Sequence, residues 1–244
     1  MADLDSLVAA IRAGDSPEAR SAIRALAELD DDRARGALAD ALGEAGPLTA
    51  LAIQALARQG SKAQGVAAMA IRDPARQLGG AAVLGKLGDP ASCALLRPLI
   101  NAPDPLLRLT VAASLYRCGE RNAELWSSWI RRENELAVFA FLAAVAGGGV
   151  TLTRGTLDHF AEQAANPDTA AEARAGAAWA VAQHDAARGT AIASTLLADP
   201  DVASALASVV RRRGGPLTAL ITDVPGDPTQ DQIADSVGLP PTVR

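Results

Sequence analysis

Residues 95–119 read LLRPLINAPDPLLRLTVAASLYRCG, from Leu95 to Gly119, and they decide the fold. The stretch reads as two helices around a tight turn. Pro98 sits inside the first helix, Asp104-Pro105 opens the second, and Leu115 closes its apolar face. Proline suits the first helical position, where its missing N–H would be unpaired in any case, and aspartate before it is a natural N-cap.

The second half of this stretch recurs along the chain. Aligning the ends of the apolar helices gives ALAELD from Ala25, ALARQG from Ala55, VLGKLG from Val83, SLYRCG from Ser114, AVAGGG from Ala144, AVAQHD from Ala180 and VVRRRG from Val209. Their second positions are Leu26, Leu56, Leu84, Leu115, Val145, Val181 and Val210, separated by steps of 30, 28, 31, 30, 36 and 29 residues. Pro17, Pro47, Pro74, Pro105 and Pro200 stand nine or ten residues before the aligned position, with Asp73, Asp104 and Asp199 before three of them. Glu133-Asn134-Glu135 replaces the proline in the fifth block. Asn166-Pro167-Asp168 opens the sixth early, where the longest step predicts a longer turn.

Between these second helices the pattern predicts first helices over roughly 3–13, 32–44, 61–72, 89–101, 121–131, 152–165 and 185–198. No stretch shows sustained alternation with turn signals, so no strand is expected. A period near thirty residues marks an array in which no pair of helices buries its stripe alone. The expectation is an all-α solenoid of about seven helical hairpins over residues 1–214. Residues 215–244 then form a cap or acidic tail, with one short helix from Asp227 to Gly238 and a turn or two of helix over 216–223.

The motif Asp104-Pro105-Leu106-Leu107-Arg108, with the proline-kinked Leu96-Arg97-Pro98-Leu99 before it, resembles the HEAT-repeat family of α-solenoids. The resemblance covers about residues 3–214. It implies a right-handed solenoid whose second helices line the concave face. It also implies an ion-pair ladder between neighbouring repeats. Arg20 and Arg108 take the Arg place and Asp15 and Asp104 the Asp place, while Ala50 and Ala203 break the ladder in repeats two and seven.

Composition agrees with helices packed closely. The chain is 49% hydrophobic but 3% aromatic, so its apolar content is chiefly Ala, Leu and Val. Arg outnumbers Lys 21 to 2, which together with the Ala and Gly excess reads as the coding bias of a GC-rich bacterial genome. Residues 1–122 hold 14 basic and 14 acidic side chains, and residues 123–244 hold 9 and 14, so the net charge of −5 belongs to the second half. General nucleic-acid binders are usually basic, and this balance argues against that class. Cys93 and Cys118 read as free buried thiols in a reducing compartment. MADLDSLVAAIRAG lacks a basic leader, and no apolar run nears the roughly 18 residues of a membrane span. A soluble cytoplasmic chain is expected.

Enzymatic constellations are thin. His159 and His184 lack the Cys and Asp spacing of a metal site. Gly147-Gly148-Gly149 ends a helix without the Lys-Ser/Thr of a phosphate loop. No cofactor or metal is expected. The sharper feature is a column two residues past each aligned position: Glu28, Arg58, Lys86, Arg117, Gly147, Gln183 and Arg212. Four residues earlier lie Arg24, Gln54, Ala82, Ala113, Ala143, Trp179 and Ser208. On a concave face, Arg24, Arg58, Lys86, Arg117, Trp179 and Arg212 would make a basic-edged groove with an aromatic anchor, suited to an acidic helix or peptide. The competing reading is that cations gather in last turns because of the helix dipole. Trp126 and Trp129, three apart, read as core fillers. Arg211-Arg212-Arg213 reads as a partner site, as a mate for the acidic tail, or as a solvated helix end. The expected function is a non-enzymatic interaction scaffold. The alternative is an enzyme on the same solenoid, like the HEAT-like DNA glycosylases or phycobilin lyases. Trp129, Arg131, Arg132, Trp179 and Asp185 would then be its nearest candidates.

Overall fold

The computed structural model describes residues 3–43, 46–222 and 224. Fourteen α-helices, a few 3-10 turns and no strand occur among the described residues. The contacts divide the chain into two compact units, one ending at Glu120 and the other beginning at Arg121.

The first unit holds α1 (Leu4–Arg12), α2 (Pro17–Ala27), α3 (Asp32–Asp40) and α4 (Pro47–Arg58). It continues with α5 (Gln64–Ala70), α6 (Gln77–Leu87), α7 (Ser92–Leu96) and α8 (Pro105–Arg117). Helices α2, α4, α6 and α8 pack each against the next, and α1, α3 and α5 form a second row beside them. The second unit holds α9 (Ala123–Arg132), α10 (Leu136–Ala146), α11 (Arg154–Ala165), α12 (Ala171–His184), α13 (Ala186–Leu196) and α14 (Pro200–Arg213). There α10, α12 and α14 form one row, and α9, α11 and α13 the other. The 3-10 turn Thr218–Ile221 follows, its Leu217 and Ile221 buried.

The repeat register is a core register. Leu26, Leu56, Leu84, Leu115, Val145, Val181 and Val210 are all buried. Start signals work as expected at four prolines: Pro17, Pro47, Pro105 and Pro200 each open a helix. The Asp104 carboxylate accepts from Leu106 N at 2.9 Å, and that of Asp199 from Asp201 N at 3.2 Å. Pro74 departs from the expectation. Asp73 there accepts from Ala75 N at 3.1 Å and pairs with Arg76 at 2.9 Å, making a turn, and α6 starts only at Gln77. The Pro98 region is also broken: α7 is short and runs into a 3-10 segment, Arg97–Asn101. The helix expected at 227–238 lies outside the described residues.

Arg20 pairs with Asp15 of its own turn at 2.7 Å. Arg108 donates to the carbonyls of Ala102 and Pro103 at 2.9 and 3.0 Å, where it braces the turn before α8. A rung between neighbouring hairpins is made by Arg174 of α12 and Asp199 before α14, at 2.9 Å. Arg174 stands outside the Asp-Pro-x-x-Arg motif.

Glycines let the rows approach. A Cβ on Gly79 would lie 2.8 Å from Leu42 Cβ, one on Gly85 2.2 Å from Ser114 Oγ, and one on Gly189 2.3 Å from Ala182 Cα. The Ser114 hydroxyl donates to Ala81 O at 2.8 Å, stitching α8 to α6. Trp126 and Trp129 are fully in the core, stacked with centroids 5.6 Å apart.

Candidate functional site

The basic column divides between the units. In the first, Arg24, Arg58, Lys86 and Arg117 fall in the last turns of α2, α4, α6 and α8. Each of these helices packs on the next, so the four cations step along one row. Last turns carry the negative end of the helix dipole, which favours cations there. That explains the placement, while exposure determines what else the cations can do. Arg24, Arg58 and Lys86 are exposed; Arg117 is half-buried, and desolvation lowers its pKa below the usual guanidinium value. Glu28, at the head of the column, pairs weakly with Arg58 at 3.9 Å. Gln54 beside Arg58 is also exposed. The ridge therefore presents a net positive edge on α2, α4 and α6 and becomes less accessible at α8.

The second unit does not continue the pattern. Trp179 was expected as an exposed anchor; it is 2% exposed. Its indole N–H donates to Gly214 O at 2.9 Å, and Arg213 lies over its ring at 5.4 Å. Gly147 makes room for it, since a Cβ there would sit 2.2 Å from the ring. Trp179 thus closes the end of α14 from inside, using its polar tip as buried tryptophans do. Ala143 and Ser208, in the same register, are buried too. Arg212 is half-buried. Of the six expected contact residues, three are open on neighbouring helices, two are half-buried and one is core.

The residues nominated for an enzyme do not converge on a reactive groove. Trp129 and Trp179 are buried. Arg131 and Arg132 turn their Nε atoms back to the carbonyls of Ser127 and Ser128 at 3.2 and 3.1 Å. Asp185 caps α13 by accepting from Arg188 N at 3.0 Å. His159 packs edge-on against Phe139, 5.7 Å between centroids, and burial lowers its pKa. His184 places Nε2 3.2 Å from Ala146 O. Among the described residues no group of His, Cys, Asp and Glu could hold a metal ion. No described helix is long and apolar enough to cross a membrane.

Cys93 and Cys118 are free and buried. The Cys93 thiol donates to Cys118 O at 3.4 Å, and that of Cys118 to Leu84 O at 3.5 Å. Burial pushes the Cys118 thiol up to about 12 and raises Cys93, the latter helped by Glu120. The buried Glu120 carboxylate accepts from Arg97 Nε at 2.6 Å. These are structural thiols, held protonated and away from solvent.

The chain matches no family model, and none of the curated proteins compared with it matches.

Proposed function

We propose that the chain is a HEAT-type, right-handed α-solenoid that works as a non-enzymatic scaffold. It binds an acidic helix or peptide along the row formed by α2, α4 and α6, with α8 at its edge. The observation that carries this reading is the run of exposed cations, Arg24, Arg58 and Lys86, on helices that pack one on the next. A row of packed helices with a cation near the end of each offers an extended ligand one contact per layer. The two rows of helices in each unit and the Arg174–Asp199 rung support the HEAT assignment. Two thiols kept buried and protonated accord with a cytoplasmic protein.

The test is fluorescence anisotropy with a labelled amphipathic peptide rich in glutamate, beside a glutamate-free control peptide. The wild type binds the acidic peptide, more weakly as salt rises. The variant R24E/R58E/K86E, with helix content unchanged by circular dichroism, loses affinity about tenfold or more. Equal affinity in the two proteins overturns the assignment of this row.

A further inference from the structure

Helices α1 and α3 form a different surface. Helices α1 and α3 run side by side in the same direction, because Asp5 pairs with Arg33 at 2.5 Å and Arg12 with Asp40 at 3.9 Å. Both pairs are seven residues apart along their helices, two turns or about 10 Å. Between them lies a shallow cleft of about 660 Å³. Its floor is small and apolar: Val8 and Ala9 on α1, Gly36 and Ala37 on α3. The corners are well exposed, Asp5 at 79%, Arg12 at 72%, Arg33 at 69% and Asp40 at 47%.

The signs alternate around this rectangle. Helix α1 is negative at its start and positive at its end, and α3 is the reverse. In a face-to-face pair of identical surfaces, the two-fold axis lies in the interface plane. If it runs along the helices, Asp5 meets the second copy's Arg33 and Arg12 meets its Asp40. If it runs across them, Asp5 meets the second copy's Arg12 and Arg33 meets its Asp40. Either operation brings every corner onto its opposite. Arg76 also reaches Asp40, at 2.8 Å, but is itself balanced by Asp73 at 2.9 Å. A single-signed partner would meet two like charges out of four. The surface is complementary to itself, and its low, glycine-containing floor lets two copies approach closely.

We infer that the α1–α3 face is a self-association surface, and that its occupant is a second copy of this chain. Two turns of two helices form a small interface, so the dimer is weak and concentration-dependent.

Sedimentation equilibrium on the full chain tests this. The expected result is a shift from 24.9 kDa toward twice that mass as concentration rises, reversed by salt that screens the corners. The variant R12D/R33D makes all four corners acidic and stays monomeric. The fourfold inversion D5R/R12D/R33D/D40R restores both pairs within the chain and dimerises again, but it does not mix with wild type, because like charges then face each other. A wild type that is monomeric up to about 1 mM overturns the inference. So does a dimer that survives in R12D/R33D, or an inverted chain that pairs freely with wild type.

Discussion

At the scale of single residues, polar and reactive atoms are mostly turned to structural use. The Trp179 indole, the Ser114 hydroxyl and the Arg108 guanidinium each hold a main-chain carbonyl in or near a neighbouring element. Cys118 shows what such enclosure does to chemistry. Its folded pKa of about 12 stands above the ordinary 9.0. The native state therefore keeps a proton that the unfolded chain releases. Stability from this group is intact below about pH 9 and falls as pH rises toward 12. We expect neither thiol to react with iodoacetamide at pH 8 in the native protein, and both to react in denaturant, as read by mass spectrometry. In C118A the alkaline fall in stability is shallower. Rapid native labelling of Cys118 would contradict this burial. The burial of Trp179 was not legible in the sequence, because the space for it comes from Gly147, thirty-two residues earlier at the end of another helix.

At the scale of elements, most helix positions were legible because their boundaries rest on local chemistry. Proline at the first helical position and a capping side chain before it act within a few residues, and Pro17, Pro105 and Pro200 obey them. The start of α6 was not legible. Asp73-Pro74 has the same signal, but the Asp73–Arg76 pair closes a turn instead. Helix α6 also shows why a weak helix sequence persists here. Gly79, Gly80 and Gly85 cost helix propensity, and α6 gains close packing against its neighbours in return. The partner matters when such a site is filled. On Gly189 an added methyl meets Ala182 main-chain atoms, which cannot rotate away. Gly189→Ala should destabilise by about 1–3 kcal/mol by overpacking, measured by urea unfolding. An unchanged or raised midpoint would show that α12 and α13 can separate at little cost. The Arg174–Asp199 rung is not legible in local sequence because its acid comes from the next repeat, twenty-five residues on.

At the scale of the molecule, the period near thirty residues predicts the core more surely than the binding surface. The aligned positions are all buried, whereas the column chosen for binding changes character along the chain, from open at Arg24 to core at Trp179. A core register needs only apolar residues at a fixed phase. A surface register depends on what each neighbouring layer covers. The same unevenness should appear in hydrogen exchange. Helix α12 is buried along most of its length and is contacted by α10, α11, α13 and α14, whereas α1 buries only Ile11. We expect α12 amides to exchange most slowly and those of α1 among the first; uniform protection along the chain would refute this. The tight contacts carry one more consequence. Gly79 fits Leu42, Gly85 fits Ser114, Gly147 fits Trp179 and Gly189 fits Ala182. Each is a lock cut for a single key. Although its hairpins share one period, they are not interchangeable: excising, duplicating or shuffling one would bring a mismatched glycine and side chain face to face.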